Sequence, residues 1–373
     1  MSLFLLFYLS IYGGAHAYLM TRTLRGFQLA APYPAVFALL SLFMVAAPIL
    51  VRVLERYGME VPARLVAWLG YLWMGFFFLF LSASVALDLL RGMLALAGWL
   101  SHREFGLGER HLLAASLLVA LAATVYGMFE ARSIRVERVT LHTPKIPKSA
   151  GRVRIVLISD LHLGLMVGKN RLQRILEQVA AQKPDLLFST GDLVDGQMDG
   201  LRGMEAALAA VGATLGKFAV LGNHEAFAGV DPSSGFTKRA GFSLLREQSV
   251  AVGDFLTVAG ADDPALLRGE QGAVDHPLLA SLPRERYTIL LKHRPNLDNS
   301  ALGLFDLQLS GHVHKGQIFP FNLITRLVYP APVGLSEAGA GSLIYVSRGT
   351  GTWGPPLRVL APPEITVIDL LPG

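Results

Sequence analysis

The sequence predicts an α/β domain carried behind a bundle of membrane-spanning helices. Apolar residues fill 52% of the 373 positions and charged ones only 16%. The mean hydropathy of +0.46 lies well above that of an ordinary soluble domain. The excess is confined to one half: four long uncharged runs precede residue 131. Beyond Ser133, short β-type runs alternate with helical periods, the pattern of sheets covered by helices. The length itself calls for two or three units. There is no Cys, so a disulfide framework and a thiolate metal site are both excluded. Any metal would rest on His, Asp, Glu or Asn.

Residues 1–130 are the predicted transmembrane region, with four spans at about 3–20, 27–51, 65–87 and 112–129. Each reaches the roughly 17–25 apolar residues that a bilayer crossing needs. Pro32, Pro34 and Pro48 fall in the second span, where a packed bundle tolerates them. Ala15-His-Ala17 resembles a signal-peptidase site, but no basic segment precedes the first run and more spans follow it. The first span is therefore expected to remain as a helix. No Arg-Arg pair is present to direct twin-arginine export. His16 is the only ionisable residue within the four spans, which favours an anchor over a transporter.

Four spans place both termini on one side. The side of the C-terminal domain carries Arg52, Arg56, Arg64, Arg132, Arg135, Arg138, Lys145 and Lys148 near span ends, against Arg22, Arg25, Arg91, Arg103 and Arg110 on the other. That bias predicts a multi-pass inner-membrane protein with a cytoplasmic C-terminal domain. Residues 131–152 form a basic connector with six cations and one acid, Glu137. It is either an ordinary stop-transfer flank or a patch drawn to anionic headgroups, at about 1 kcal/mol per cation near the surface. Within it Ile134–Leu141 alternates with period two and reads as a half-buried strand, ended by Pro144 and Pro147.

Residues 153–373 are the predicted catalytic domain. Strands are expected at Val153–Ile158, Leu186–Ser189, Phe218–Leu221, within Val250–Ala259, and at Thr288–Leu291, Leu307–Leu309, Leu343–Val346 and Ile365–Leu370. Helices are expected at Lys169–Gln182, whose Leu172, Ile175, Leu176 and Val179 share a face, and at Met198–Leu215 and Phe236–Glu247. The chemistry lies just beyond the strands. Asp160-Leu-His162 follows the first, Gly191-Asp192-Leu-Val-Asp195 the second and Gly222-Asn223-His224-Glu225 the third. Lys292-His293-Arg294-Pro295 and Ser310-Gly311-His312-Val-His314 follow two more. A single such residue is most often a turn or cap. Five strand ends bearing two Asp, one Asn and four His, with Asp195 and His224 beside them, are not explained that way.

A sulfur-free set of imidazole, carboxylate and amide suits Mn, Fe or Zn. Seven ligands exceed one tetrahedral ion and suit two divalent ions sharing a carboxylate. Two ions about 3.5–4 Å apart are the arrangement for in-line displacement at phosphorus, where they activate water and offset developing charge.

These motifs, in this order, resemble the complete set of the calcineurin-like metallophosphoesterases, over roughly residues 133–373. The nearer likeness is to bacterial membrane-associated phosphoesterases of the YkuE/YaeI type, through the tail Tyr345–Arg358 and Ala361-Pro-Pro-Glu364. The multi-span N-terminus also resembles transmembrane proteins with a metallophosphoesterase domain. The resemblance implies a four-layer αββα sandwich with the site at one edge. It implies that Asp160, His162 and His314 hold one metal, that Asn223, His293 and His312 hold the other, and that Asp192 bridges them. It implies that His224 serves the leaving oxygen or the transition state and that Asp195 orients it. Where many relatives read His-Gly-Gly-Gln, this chain reads His314-Lys-Gly-Gln317. Lys315 thereby joins Arg294 and Arg348 as candidate contacts to a substrate phosphate.

The expected function is a membrane-anchored, two-metal hydrolase of a phosphodiester, pyrophosphate or phosphomonoester, attacked by a hydroxide held between the ions. A lipid headgroup is one candidate substrate. Phe319, Phe321, Leu323, Ile324 and Leu327 form an apolar stretch that reads either as a lipid-facing lip or as buried core. A non-catalytic metal-binding scaffold would be expected to lack a ligand or His224, and none is missing. A sensor coupled to the bundle is the other alternative. Nucleic acid is not an expected partner, because the net charge of +5 is spread out and no basic–aromatic stripe occurs.

Overall fold

A computed structural model describes residues 3–102, 108–196, 198, 200–267 and 275–373. The predicted connector charges Arg103 and Glu104 lie outside the described residues, as do Gln197 and Asp199 near the start of the predicted second helix. The chain divides into two compact units: Met1–Phe129 with Gly354–Leu357, and Glu130–Trp353 with Arg358–Gly373.

Among the described residues, three helices are long and apolar enough to cross a membrane: α1 (Tyr33–Arg56), α2 (Glu60–Ser101) and α3 (Glu109–Glu130). The expected fourth crossing is not shown. Residues Leu3–Gly26 are helical, but a π-helical segment, Leu9–Gly13, divides them into short pieces. Such wide turns break the regular ladder of hydrogen bonds. Pro34 sits in the first turn of α1, where its missing N–H costs nothing, and Pro48 is carried inside the same helix. Small residues bring α1 and α2 together: a Cβ on Gly70 would lie 2.7 Å from that of Ala47.

One expectation for the first unit needs correction. The span predicted to end at Leu87 lies within helix α2, which is 42 residues long in all, roughly 60 Å at 1.5 Å per residue, twice the hydrocarbon thickness. Just beyond the predicted spans, the helices carry charge. Asp88, on α2, takes both Nη atoms of the buried Arg22 and, at 2.9 Å, the Tyr18 hydroxyl. A guanidinium and a carboxylate that satisfy each other can be taken out of water together. His16 is buried: it accepts from Trp73 Nε1 at 2.9 Å and stacks on Phe77.

The second unit is a mixed α/β sandwich of two six-stranded sheets. The first sheet has the order β1 (Arg135–Thr143), β12 (Glu364–Pro372), β2 (Val153–Ile158), β3 (Leu186–Ser189), β4 (Gly216–Ala219), β5 (Ser243–Leu244). All neighbours run parallel except β12 against β2. The second has the order β10 (Gly334–Gly339), β11 (Ser342–Val346), β9 (Leu307–Ser310), β8 (Tyr287–Leu291), β7 (Leu256–Gly260), β6 (Gln248–Val252), with antiparallel pairs only at its edges. The strand predicted inside the basic connector is thus an integral edge of the first sheet.

Strand periodicity sets the layers. In β2, Val153, Ile155 and Leu157 enter one core with Val258, Ile289 and Leu309 of the opposite sheet. Val156 and Ile158 enter another, beneath Leu172, Ile175 and Val179 of helix α4 (Lys169–Ala181) and Met204 and Leu208 of α5 (Met204–Ala209). The predicted face of α4 is the buried face. The helix expected at Phe236–Glu247 instead ends early. After α6 (Asn223–Ala228), α7 (Val230–Arg239) takes only the first four of those residues, and Gly241, at φ +84°, turns the chain into β5. Only a residue free of a Cβ adopts that turn without strain. α8 (Asp275–Ala280) covers Ala259 and Leu290 on the outer face of the second sheet, and α9 (Asn322–Val328) follows the last motif.

Candidate metal centre

Parallel strands end in loops at one edge, and the motifs occupy those loops. Asp160 and His162 follow β2, Asp192 and Asp195 follow β3, and Asn223 and His224 open α6 after β4. His293 follows β8, while His312 and His314 follow β9. The loops are laced to one another by backbone bonds: Asp160 N–H donates to the Gly191 carbonyl at 3.0 Å, His162 N–H to Asp192 at 3.0 Å and Gly311 N–H to His293 at 2.9 Å. Glycine makes this crowding possible. A Cβ on Gly222 would lie 2.2 Å from Asp192 Oδ1, and one on Gly311 the same distance from Asp160 Oδ2.

Three groups of side chains converge, their ligand atoms within 4.8 Å of one another: Asp160, His162 and His314; His162, Asp192 and His224; Asp192, His293 and His312. Asn223 joins the third, its Oδ1 3.1 Å from His293 Nε2. His293 Nδ1 donates to the Thr190 carbonyl at 2.8 Å, which can only accept, so in the neutral ring Nε2 holds the lone pair. That lone pair faces Asn223 Oδ1, His312 Nδ1 at 3.1 Å and Asp192 Oδ2 at 3.3 Å. His162 Nδ1 likewise donates to Asp195 Oδ1 at 3.2 Å, which turns the lone pair of Nε2 toward His314 Nε2 at 3.1 Å. The oxygens of Asn223 and Asp192 repel the lone pair of His293 Nε2 unless a proton or a cation lies among them. Asp160 and Asp192 are almost fully buried, and buried carboxylates require compensation. The donor set therefore fits divalent metal ions.

Protonation follows the same geometry. Burial pushes His312 down to about 3 and His314 down to about 4, so both are neutral and ligand-competent at pH 7. Burial acts the same way on His293, but Asp192 beside it outweighs that and raises it to about 10, so without a metal ion Nε2 carries a proton whose place a bound cation would take. Burial opposes ionisation of Asp195, yet the hydrogen bond to His162 and the contact with His224 bring it down to about 2. Asp195 serves two rings through one oxygen: it lies 3.1 Å from His224 Nδ1 as well. Only the contact with His162 has hydrogen-bond alignment.

The ligand positions are strained. Asp160, His162, Asp192, His312 and His314 all have φ between +47° and +72°. Left-handed backbone at non-glycine residues costs about 1–3 kcal/mol each and collects at functional sites.

The three candidate phosphate contacts separate. Arg348 is not presented to the site. Its guanidinium is spent on Glu137, on Glu364 at 2.7 Å and on the Pro362 carbonyl at 3.0 Å. Arg294 is forked onto Asp263 at 2.8 and 3.2 Å, with its side chain partly exposed. Lys315, beside His314, is half-buried and also left-handed.

Three residues were missed by sequence reasoning. Glu225 is buried, and its carboxylate accepts from the N–H groups of Gly222 at 2.7 Å, Asp192 at 2.9 Å and Val194 at 3.2 Å. Burial first, and then Asp192, raise its pKa. Tyr329 places its hydroxyl 2.9 Å from His312 Nε2. Arg358 is fully buried and lies 3.0 Å from His314 Nδ1. It donates to the carbonyls of Arg348 at 2.7 Å and Gly351 at 2.6 Å. A cation inside the Pro- and Gly-rich tail was the available signal for it. Lysine lacks the planar fork, so Arg358→Lys should orphan carbonyls and cost on the order of 2 kcal/mol. Thermal unfolding of the solubilised protein checks this; an unchanged midpoint would remove Arg358 from the site's framework.

Comparison with known proteins agrees with this geometry. A family model described as calcineurin-like phosphoesterase matches residues 153–316. An uncharacterized metallophosphoesterase from Aquifex aeolicus is 38% identical over 257 residues, covering 68% of this chain and 98% of its own. The Campylobacter jejuni metallophosphoesterase Cj0846 is 31% identical over 367 residues, covering 97% of this chain and 96% of its own. A zebrafish transmembrane protein with a metallophosphoesterase domain is 33% identical over 269 residues, covering 68% of this chain and 62% of its own. The chain belongs to the calcineurin-like metallophosphoesterases and is a phosphoric ester hydrolase.

Proposed function

We propose that this chain is a membrane-anchored hydrolase of a phosphodiester, pyrophosphate or phosphomonoester, working with two divalent cations. The convergence of three overlapping ligand groups, with Asp192 common to two of them, carries the reading. Asp160, His162 and His314 would hold one ion, Asn223, His293 and His312 the other, and Asp192 would bridge. Mn, Fe or Zn suits this donor set. When bound, the ions supply an activated water and offset charge on the phosphoryl oxygens.

The side chains around them do the rest. Asp195 and the Thr190 carbonyl fix the tautomers of His162 and His293, as outer partners of metal ligands do. His224 has its Nδ1 beside Asp195 and its backbone N–H on Asp192 Oδ1 at 2.9 Å. Burial lowers its pKa, but Asp195 and Asp192 together raise it, which suits a proton donor to the leaving oxygen. Lys315 is the remaining unspent cation of the three proposed for substrate phosphate.

The positive-inside bias supports a cytoplasmic site in the inner membrane. It does not depend on the first span, because the α1–α2 loop and the connector after α3 share a side in either count. The test is hydrolysis of bis-p-nitrophenyl phosphate by the purified chain with Mn²⁺. Metal-dependent turnover is expected, and inactivity with every divalent ion would overturn the reading.

A further inference from the structure

We infer that residues Phe319–Val328 form a bilayer-docking lip that brings the metal centre to phosphoesters carried on lipids. This rests on the hydrolase reading and names the class of its substrate. The segment begins five residues after His314, and α9 occupies most of it. Sequence left open whether its side chains are core or surface, and the structure turns them outward. Leu327 is 85% exposed, Val328 63%, Leu323 56%, Ile324 53% and Phe319 44%. A seven-residue helix that buries none of its residues gains nothing from folding inward. Apolar surface of this density is a site for association.

The segment is also wired to the chemistry. Tyr329, directly after α9, meets His312 Nε2 at 2.9 Å. At its other end Gln317 exchanges hydrogen bonds with Trp353, its amide donating to the carbonyl at 2.7 Å and its Oε1 accepting from the N–H at 2.9 Å. Trp353 and Phe227, 51% and 66% exposed, both pack edge-on to the ring of His224. Exposed apolar side chains therefore lie both on α9 and beside the residue proposed to protonate the leaving group. A soluble nucleotide or sugar phosphate has no use for such a rim, whereas an acyl chain leaving the bilayer does.

The occupant is the membrane because the chain already lives there. The second unit starts at Glu130, the last residue of α3, so no linker separates it from a membrane-length helix. A tethered patch meets its surface at high effective concentration, and weak insertion then suffices. Arg326 on α9 suits a helix lying at the headgroup level.

The chain has no cysteine, which permits a clean test on the full-length protein. Leu327→Cys, labelled with an environment-sensitive fluorophore, is reconstituted into phosphatidylcholine–phosphatidylglycerol vesicles with and without brominated acyl chains. Leu323→Cys serves as a second position, and Ser249→Cys, on the exposed edge strand β6, as the control. Brominated chains should quench most of the emission at residues 327 and 323 and leave residue 249 unchanged. Equal emission at all three positions would overturn the lip. So would a signal at residue 327 that follows protein density and ignores bromine, because it would mark contact between copies. Quenching does not depend on turnover, so loss of bis-p-nitrophenyl phosphate hydrolysis would sink the hydrolase reading without touching this one. With Leu323→Glu/Leu327→Glu, at least a tenfold fall in release from a vesicle-borne phosphoester, beyond any change with the soluble ester, is expected. An equal change with both substrates would contradict delivery from the bilayer.

Discussion

Asp192→Asn should strip the protein of metal and lower hydrolysis on the order of 10²–10³-fold, the scale at which a single group organising a transition state is felt. Asp192 is the only carboxylate common to two of the converging groups. Its Oδ1 is already taken by the His224 N–H, and its Oδ2 lies 3.3 Å from His293 Nε2 and 3.8 Å from His162 Nε2. An asparagine amide in the Oδ2 position would present N–H groups to both lone pairs, filling with hydrogen bonds the space a cation would take. It would also remove a charge that the ions offset. Metal per chain by elemental analysis, read beside kcat, checks the prediction. Full occupancy together with wild-type turnover would remove the bridging role.

Glu225→Ala should be at least as damaging, for a different reason. Its carboxylate is the shared acceptor of the Gly222, Asp192 and Val194 N–H groups, which ties the second motif to the third. Removing it orphans three buried donors at about 1–3 kcal/mol each, against a total stability of about 5–15 kcal/mol for a typical domain. The expected result is a protein with a much reduced unfolding midpoint and little bound metal. Glu225→Gln keeps one acceptor oxygen and should fall between. Proteolysis of solubilised protein, with and without Mn²⁺, measures both effects. A Glu225→Ala variant that resists protease like the wild type would show that the two loops hold without it.

Much of this site was legible because its residues are short in sequence and end strands. Asp160, Asp192, Asn223, His293 and His312 each follow an apolar run whose period announces a strand, and parallel strands put such ends at one edge. The helical face of α4 was legible for the same reason of periodicity. What escaped depends on contacts that no local pattern encodes. Glu225 sat inside a quoted motif, yet its three donors come from two loops. Arg358 and Tyr329 reach the centre through the tail and through α9, where neighbouring residues say nothing about the ring they touch. Arg348 failed as a phosphate contact because Glu137 and Glu364, far away in sequence, claim it. In the first unit the hydropathy pattern located the helices but not their ends. The span predicted to end at Leu87 runs on past Asp88, which sits within α2 and is satisfied by Arg22.

The left-handed backbone at Asp160, His162, Asp192, His312 and His314 has a consequence for lineages rather than molecules. Glycine would relieve that strain, but at Asp160 and Asp192 it would also orphan the His312 and His224 N–H groups that their carboxylates accept. A lineage that gave up the chemistry would therefore gain backbone freedom and lose loop cohesion in the same step, and the two carboxylates would be the last of the five to go.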